Sequence, residues 1–140
     1  MLRLREKGAL MAIGGAGYTL IELAWRGKSH WTMTLAGGVC FAGFYHICEK
    51  AQARPCWLKC ALGSVWITMV EFFTGCLVNL QLHWNVWDYS ERFLHLKGQI
   101  CPLYSFLWFL LCFPLTALCA TMQKRRAWRP KLLKKSEKPV

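Results

Sequence analysis

The sequence predicts an all-α membrane protein: a bundle of four transmembrane helices with a short outer interfacial segment between the third and fourth. Three observations point there. Hydrophobic residues make up 55% of the 140-residue chain and charged residues 18%, against roughly 45–50% and 25% in an average soluble domain. The apolar residues fall in four blocks, each near the ~20 residues that cross a bilayer. Eight of the eighteen Lys and Arg lie between Lys124 and Lys138, directly after the last block. Gathered there, a formal net charge of +11 makes a juxtamembrane tail facing anionic lipid rather than a nucleic-acid surface. Membrane lipids are the expected partner and nucleic acid is not. The length leaves room for one domain and excludes a two-domain enzyme.

The first span, about residues 8–25, follows Arg3, Arg5 and Lys7. Glu22 and Trp25 stand where a signal peptide would need small residues for cleavage, so the block reads as an uncleaved signal-anchor helix. The second span is 31–48 and the third 61–80. The fourth is 100–122, with Pro102 in its first turn, where a missing N–H costs little, and Pro114 inside it, where a kink is expected. Residues 1–123 form the transmembrane domain, and 124–140 a basic cytoplasmic tail expected to be disordered beyond its first residues.

Charge sets the orientation. The N-terminus, the 49–60 loop and the tail share one side and hold fourteen Lys and Arg, against four in the 26–30 and 81–99 loops. The positive-inside rule puts both termini in the cytoplasm of a multi-pass cell-membrane protein. Trp25, Trp31, Trp84 and Trp87 then form an outer aromatic belt, with Trp57 and Trp128 near the inner boundary. Cys40, Cys48, Cys76, Cys101, Cys112 and Cys119 lie in or beside spans as small apolar residues. Cys56 and Cys60 face a reducing compartment and lack a second ligand pair, so neither a disulfide nor a metal is expected. No cofactor is implied.

Acids within spans are costly and mark candidate sites. Glu71 lies mid-span with Ser64, Thr68, Gly75 and Asn79 at helical spacing, a stripe that should face other helices or a cavity. Glu71 is either a protonated structural donor or a proton or cation site. Glu22 precedes Arg26 by four residues, the favourable order for an ion pair on one helix face. Arg26 through Trp31 makes a tight hairpin in which Ser29 and His30 join that pair. The alternatives are a neutralised structural pair and an outward pocket where Arg26 and His30 meet a substrate anion. Gly27-Lys28-Ser29 resembles the end of a P-loop, but the first glycine would fall at Glu22 and the required strand is a membrane helix. In Trp87-Asp88-Tyr89-Ser90, Asp88 with Glu91 fits the capping box of a short interfacial helix carrying Phe93, Leu94 and Leu96. By topology Asp88 and Tyr89 also share a side with Glu22, Arg26, Ser29, His30 and Asn79, as a binding pocket would need. Gly14, Gly15, Gly17, Gly37 and Gly38 should permit close helix approach, and Cys101, Ser105, Trp108, Cys112 and Cys119 form a packing seam on the fourth helix.

Several stretches together resemble a known family. They are Gly17-Tyr18 through Glu22, Arg26-Gly27-x-Ser29-His30-Trp31-x-Met33, Gly37-Gly38-x-Cys40-Phe41, Ile67-Thr68-x-x-Glu71-Phe72-x-x-Gly75-x-x-x-Asn79, Trp87-Asp88-Tyr89-Ser90 and Gly98-Gln99-Ile100-Cys101. Across about residues 14–113 the chain is similar to the bacterial CmpB-like family of type IV ABC-transporter permeases. Phe93-Leu94-His95-Leu96 departs from the Pro-Phe-Asn-like residues of that family. The resemblance implies transport, with ATP hydrolysis supplied by a separate ATPase subunit. The leading function is thus a small permease component with an outward polar site, working with a partner or as a homo-oligomer, since four short helices enclose little volume. The rivals are a membrane-embedded enzyme on a lipid or envelope precursor, for which no nucleophile–base spacing argues, and a non-transporting scaffold subunit.

Overall fold

The structure, a computed structural model, describes the backbone of residues 4–136 and side chains through residue 127. Arg3, the last four residues of the basic tail and the side chain of Trp128 lie outside the described residues. Helix α1 spans Leu4–Arg26, α2 Trp31–Lys50, α3 Cys56–Gly75 and α4 Pro102–Ser136. A π-helical segment, Cys76–Gln81, prolongs α3. No strand occurs among the described residues, only an isolated bridge between Leu96 and Ile100.

The first two expected spans fall within α1 and α2, the third runs from α3 into the π-helical segment, and the fourth begins two residues before α4. The ends differ for physical reasons. The 49–60 loop shrinks because α3 begins at Cys56, immediately after Pro55 at the N-cap with φ −62°. Proline pre-sets the backbone at a helix start, so the Pro-containing stretch marks the boundary and Lys59 lies inside the helix. Pro102 opens α4 as expected, and the helix continues past Pro114. It also continues through the basic tail to Ser136, where disorder was expected. Lys and Arg are good helix formers and suit the negative end of the helix dipole. The expected helix around Phe93–Leu96 is absent. That stretch is a loop in which Leu94 and Lys97 take positive φ, and Phe93 is 85% exposed.

Two helices, Cys56–Gln81 and Pro102–Ala127, are long and apolar enough to cross a membrane. Large apolar side chains nonetheless point outward on all four, among them Leu20, Leu35, Val65, Phe73 and Phe106. A water-soluble chain seldom leaves so much apolar surface uncovered. This is a membrane protein.

The helices pack in chain order: α1 on α2, α2 on α3, α3 on α4. No Cα of α1 comes within 8 Å of a Cα of α4 among the described residues. At the α1–α2 crossing, a Cβ on Gly37 would strike the Tyr18 side chain and the Gly14 carbonyl, and one on Gly14 would strike Phe41. Gly15 and Gly38 abut the backbone of Thr34 and Met11 in the same way. Gly17, expected among them, faces open space. Deeper in the bundle, Phe44, Cys60, Cys112 and Cys119 are fully enclosed, and the Phe44 ring lies against Gly63. Ser64 Oγ donates to the Ser105 carbonyl and Thr68 Oγ1 to Ser105 Oγ at 2.9 Å, tying α3 to α4. At the far end Arg126 of α4 pairs with Glu49 of α2 at 2.8 Å and Glu6 of α1 at 3.6 Å.

These contacts make the two glycines of α1–α2 separable. Gly37→Ala should destabilise by about 1–3 kcal/mol through overpacking. Gly17→Ala should be neutral, or stabilise by up to ~1 kcal/mol through helix propensity. Thermal unfolding of both variants in one detergent measures this, and equal behaviour would place the crossing elsewhere.

Candidate functional site

The last turn of α1 supplies the centre of the site. Glu22 and Arg26 stack one turn apart, with Arg26 Nη1 donating to Glu22 Oε1 at 2.9 Å. Gly27, at φ 70°, ends the helix in the left-handed conformation that glycine adopts freely, and its N–H reaches the Leu23 carbonyl at 3.0 Å. The chain thereby turns back and delivers Ser29, whose hydroxyl donates to Glu22 Oε2 at 2.7 Å. Both carboxylate oxygens of Glu22 are thus bonded, and the residue is only 6% exposed. His30 is the N-cap of α2: its Nδ1 accepts from the Thr32 N–H at 3.4 Å and lies 2.8 Å from the Thr32 hydroxyl. Its ring packs near Trp31 and Trp84.

From Arg26 a polar chain crosses to the segment between α3 and α4. Arg26 Nη2 donates to the Val86 carbonyl. The Val86 N–H donates to Asn79 Oδ1 at 2.7 Å, and Asn79 Nδ2 donates to Gln99 Oε1 at 2.8 Å. Gln99 Nε2 in turn bonds the Lys97 carbonyl. Trp87 donates its indole N–H to the Gln99 carbonyl at 3.0 Å and is 5% exposed. It therefore belongs to the interior, not to the aromatic belt, because its N–H finds a buried acceptor. Trp25, Trp31 and Trp84 remain exposed.

Glu71 occupies a separate position. It is 2% exposed, with Oε1 accepting from the Tyr18 hydroxyl at 3.1 Å and Oε2 from the Trp108 indole at 2.7 Å. Of the expected stripe, Ser64, Gly75 and Asn79 are buried like Glu71 and Thr68 is half-buried. Asp88 stands apart. It is exposed and accepts from the Ser90 hydroxyl and, at 2.8 Å, from the Ser90 N–H. Those bonds hold its carboxyl below the usual carboxylate range. It closes a local Asx turn against Gly98 instead of capping a helix.

Two cavities meet at the Glu22–Arg26 pair. One, about 240 Å³, lies between α1 and α4 and is lined by Tyr18, Ile21, Tyr89, Tyr104 and Trp108 as well as the pair. The Tyr89 and Tyr104 rings stack there at 4.5 Å. The other, about 180 Å³, is a polar cup formed with Lys28, Ser29, His30, Trp84 and Asn85. The expected site residues therefore divide. Glu22, Arg26, Ser29, His30 and Tyr89 border the cavities; Asn79 braces them from behind Val86; Glu71 lies behind Tyr18 and Trp108; Asp88 is not part of either wall.

Sequence reasoning missed Tyr18, Trp108 and Gln99. Tyr18 precedes Glu22 by four residues, so the helical spacing that found Arg26 points to it too. Trp108 falls in the packing seam of the fourth helix, and the signal for Gln99 is its place in the Gly98–Cys101 stretch that carries the resemblance, not its spacing. Among the described residues no group of three or more His, Cys, Asp or Glu is placed to hold a metal. Cys56 and Cys60 lie 4.0 Å apart on successive turns of α3.

A family model described as Putative ABC-transporter type IV matches residues 8–136. No curated protein and no solved structure matches the chain.

Two sets of variants follow from the geometry. Arg26→Ala leaves Glu22 buried with only Ser29, a loss on the order of 3 kcal/mol. Glu22→Gln in the same chain should recover about half of it, and thermal unfolding of both singles and the double measures the coupling; strictly additive losses would mean that the side chains do not interact. Glu71→Gln can still accept from Trp108 and donate to the Tyr18 oxygen, so it should stay within about 1 kcal/mol of the parent. Glu71→Leu orphans both donors and should cost several times as much. Equal melting temperatures for the two would remove Glu71 from the packing of the bundle.

Proposed function

We propose that this chain, which belongs to the family described as Putative ABC-transporter type IV, is a small multi-pass permease component of the cell membrane with an outward-facing polar site. Four helices span the bilayer, both termini are cytoplasmic, and residues 124–140 are a basic tail at the inner surface. The observation that carries the reading is the junction of a polar cup and a mostly apolar cavity at the Glu22–Arg26 pair. A concave site with an apolar wall and a few fixed polar groups is what ligand binding requires.

Within the site Arg26 and His30 present donors to the substrate, and Glu22, itself held by the Ser29 hydroxyl, keeps Arg26 in place. Tyr89 bounds the apolar side, and Asn79 holds Val86 by its N–H while Arg26 donates to the Val86 carbonyl. Glu71 acts from behind, by holding the Tyr18 and Trp108 rings that form part of the cavity wall. Asp88 shapes the loop over the site. The energy comes from a separate ATPase subunit, and the path is completed by that partner or by further copies of the chain.

The charge asymmetry supports the orientation, since fourteen Lys and Arg fall on the proposed inner side against four on the outer, eight of the fourteen from Lys124 onward. The test of both halves is direct. Cys56 is exposed whereas Cys60 is fully buried, so Cys56 carries the readout. It should resist a membrane-impermeant thiol reagent in intact cells, while Asn85→Cys in a chain lacking native cysteines should react. The opposite pattern would turn the site toward the cytoplasm. Affinity purification of the full chain from native membranes should bring an ATPase subunit with it, and recovery of the chain alone would remove the permease reading.

A further inference from the structure

The bundle has an unclosed side. Because α1 and α4 nowhere bring their backbones within 8 Å among the described residues, a seam runs between them. Side chains bridge it, among them the Tyr18 and Trp108 rings, with centroids 5.5 Å apart, and the Arg126–Glu6 contact at the end away from Glu22. Two cavities lie along the seam, about 240 and 150 Å³, and Tyr18, Ile21, Trp108 and Leu111 border both. The second is walled almost wholly by apolar side chains.

The first cavity and the polar cup lie against one another, with Glu22 and Arg26 lining both. There two cations, Arg26 and Lys28, stand against one carboxylate, Glu22, and Lys28 has no ion-pair partner among the described residues. At the junction the Tyr89 and Tyr104 hydroxyls likewise find no hydrogen-bond partner among the described residues. The seam thus sets an apolar slot and unfilled phenol donors beside a net positive cup, with Glu22 and Arg26 bordering both.

We propose that the seam between α1 and α4 binds a membrane lipid with an anionic headgroup, its headgroup in the cup beside Arg26 and Lys28 and its hydrocarbon chain along Ile21 and Leu111. The charge of the cup selects the headgroup, and the apolar slot selects the chain. A helix from a second copy does not suit the slot, since a helix with its side chains is about 10 Å across and cavities of these volumes admit something much thinner. The inference rests on the outward polar site proposed above and names its substrate class.

The test uses the full chain reconstituted in nanodiscs of phosphatidylcholine with added phosphatidylglycerol, followed by release into detergent and native mass spectrometry of retained lipid. The parent chain should retain phosphatidylglycerol in preference to phosphatidylcholine. Lys28→Ala, an exposed loop change, should cut that preference roughly fivefold, as expected for one cation at a membrane surface. Leu111→Trp fills the slot and should lower retention of both lipids roughly tenfold, the loss expected when about two methylenes leave an apolar site. Should that variant fail to fold, Ile21→Trp fills the slot from the opposite wall. Equal retention of both lipids by all these proteins would overturn the proposal. So would disulfide crosslinking between copies through Ile21→Cys that rises as lipid is lost, since a second copy would then occupy the seam. Lipid retention without a co-purified ATPase would keep the lipid site and remove the permease reading, and the reverse result would do the opposite.

Discussion

A carboxylate inside an apolar bundle must be fully partnered, and Glu71 shows how much of the architecture that requirement organises. Its two oxygens are taken by Tyr18 from α1 and Trp108 from α4, so the side chain of α3 is the point at which three helices are held together. Without it α1 and α4 would share no polar link in the middle of the bundle, since their backbones stay apart. The same requirement governs Glu22, whose oxygens are taken by Arg26 and Ser29. Burial of each acid is tolerated because every acceptor is met, and an acceptor left bare would cost kilocalories.

The second carboxylate extends the constraint into the loop between α3 and α4. Arg26 satisfies Glu22 with one nitrogen and anchors the Val86 carbonyl with another, and the bonds continue through Asn79 to Gln99. A loop of this length with four non-glycine residues at positive φ would have little reason to hold one shape alone. Buried side-chain amides fix it from inside, and its apolar tip, Phe93 and Leu94, stays outside. The cavities are a product of that arrangement: α1 ends where the loop needs an anchor, and the anchoring pair borders both of them.

Much of this was legible in the sequence, where local spacing carries the information. The Glu22–Arg26 pair, the buried stripe through Glu71 and Asn79, the four helices and Pro102 at the head of α4 all follow from periodicity and capping. What spacing does not carry is the partner across space. Tyr18 and Trp108 meet Glu71 only because helices pack at particular angles, and Gln99 reaches Asn79 only because the loop folds back. Trp87 was misplaced for the same reason, as an aromatic residue near an apparent boundary looks interfacial until its indole finds a buried carbonyl. Asp88 carried a capping-box spacing that the chain uses for an Asx turn instead, since Leu94 and Lys97 leave helical space. In the basic tail, charge argues for disorder while the helix propensity of Lys and Arg favours the helix that runs to Ser136.

The π-helical segment Cys76–Gln81, closed by the Leu82 N–H on the Leu77 carbonyl at 3.0 Å, makes chain length itself a determinant of the site. A π turn accommodates one more residue than an α turn, and each residue of an α-helix rotates the following side chains by about 100°. Losing a single codon here would relax the segment to ordinary α geometry and swing whatever follows round the helix axis. Asn79 or its neighbours would then face a different side of the bundle, and the Val86 carbonyl would drift from Arg26. In genetic terms, an in-frame deletion in this stretch is equivalent to a lesion at the site, although every residue that borders the cavities would still be encoded.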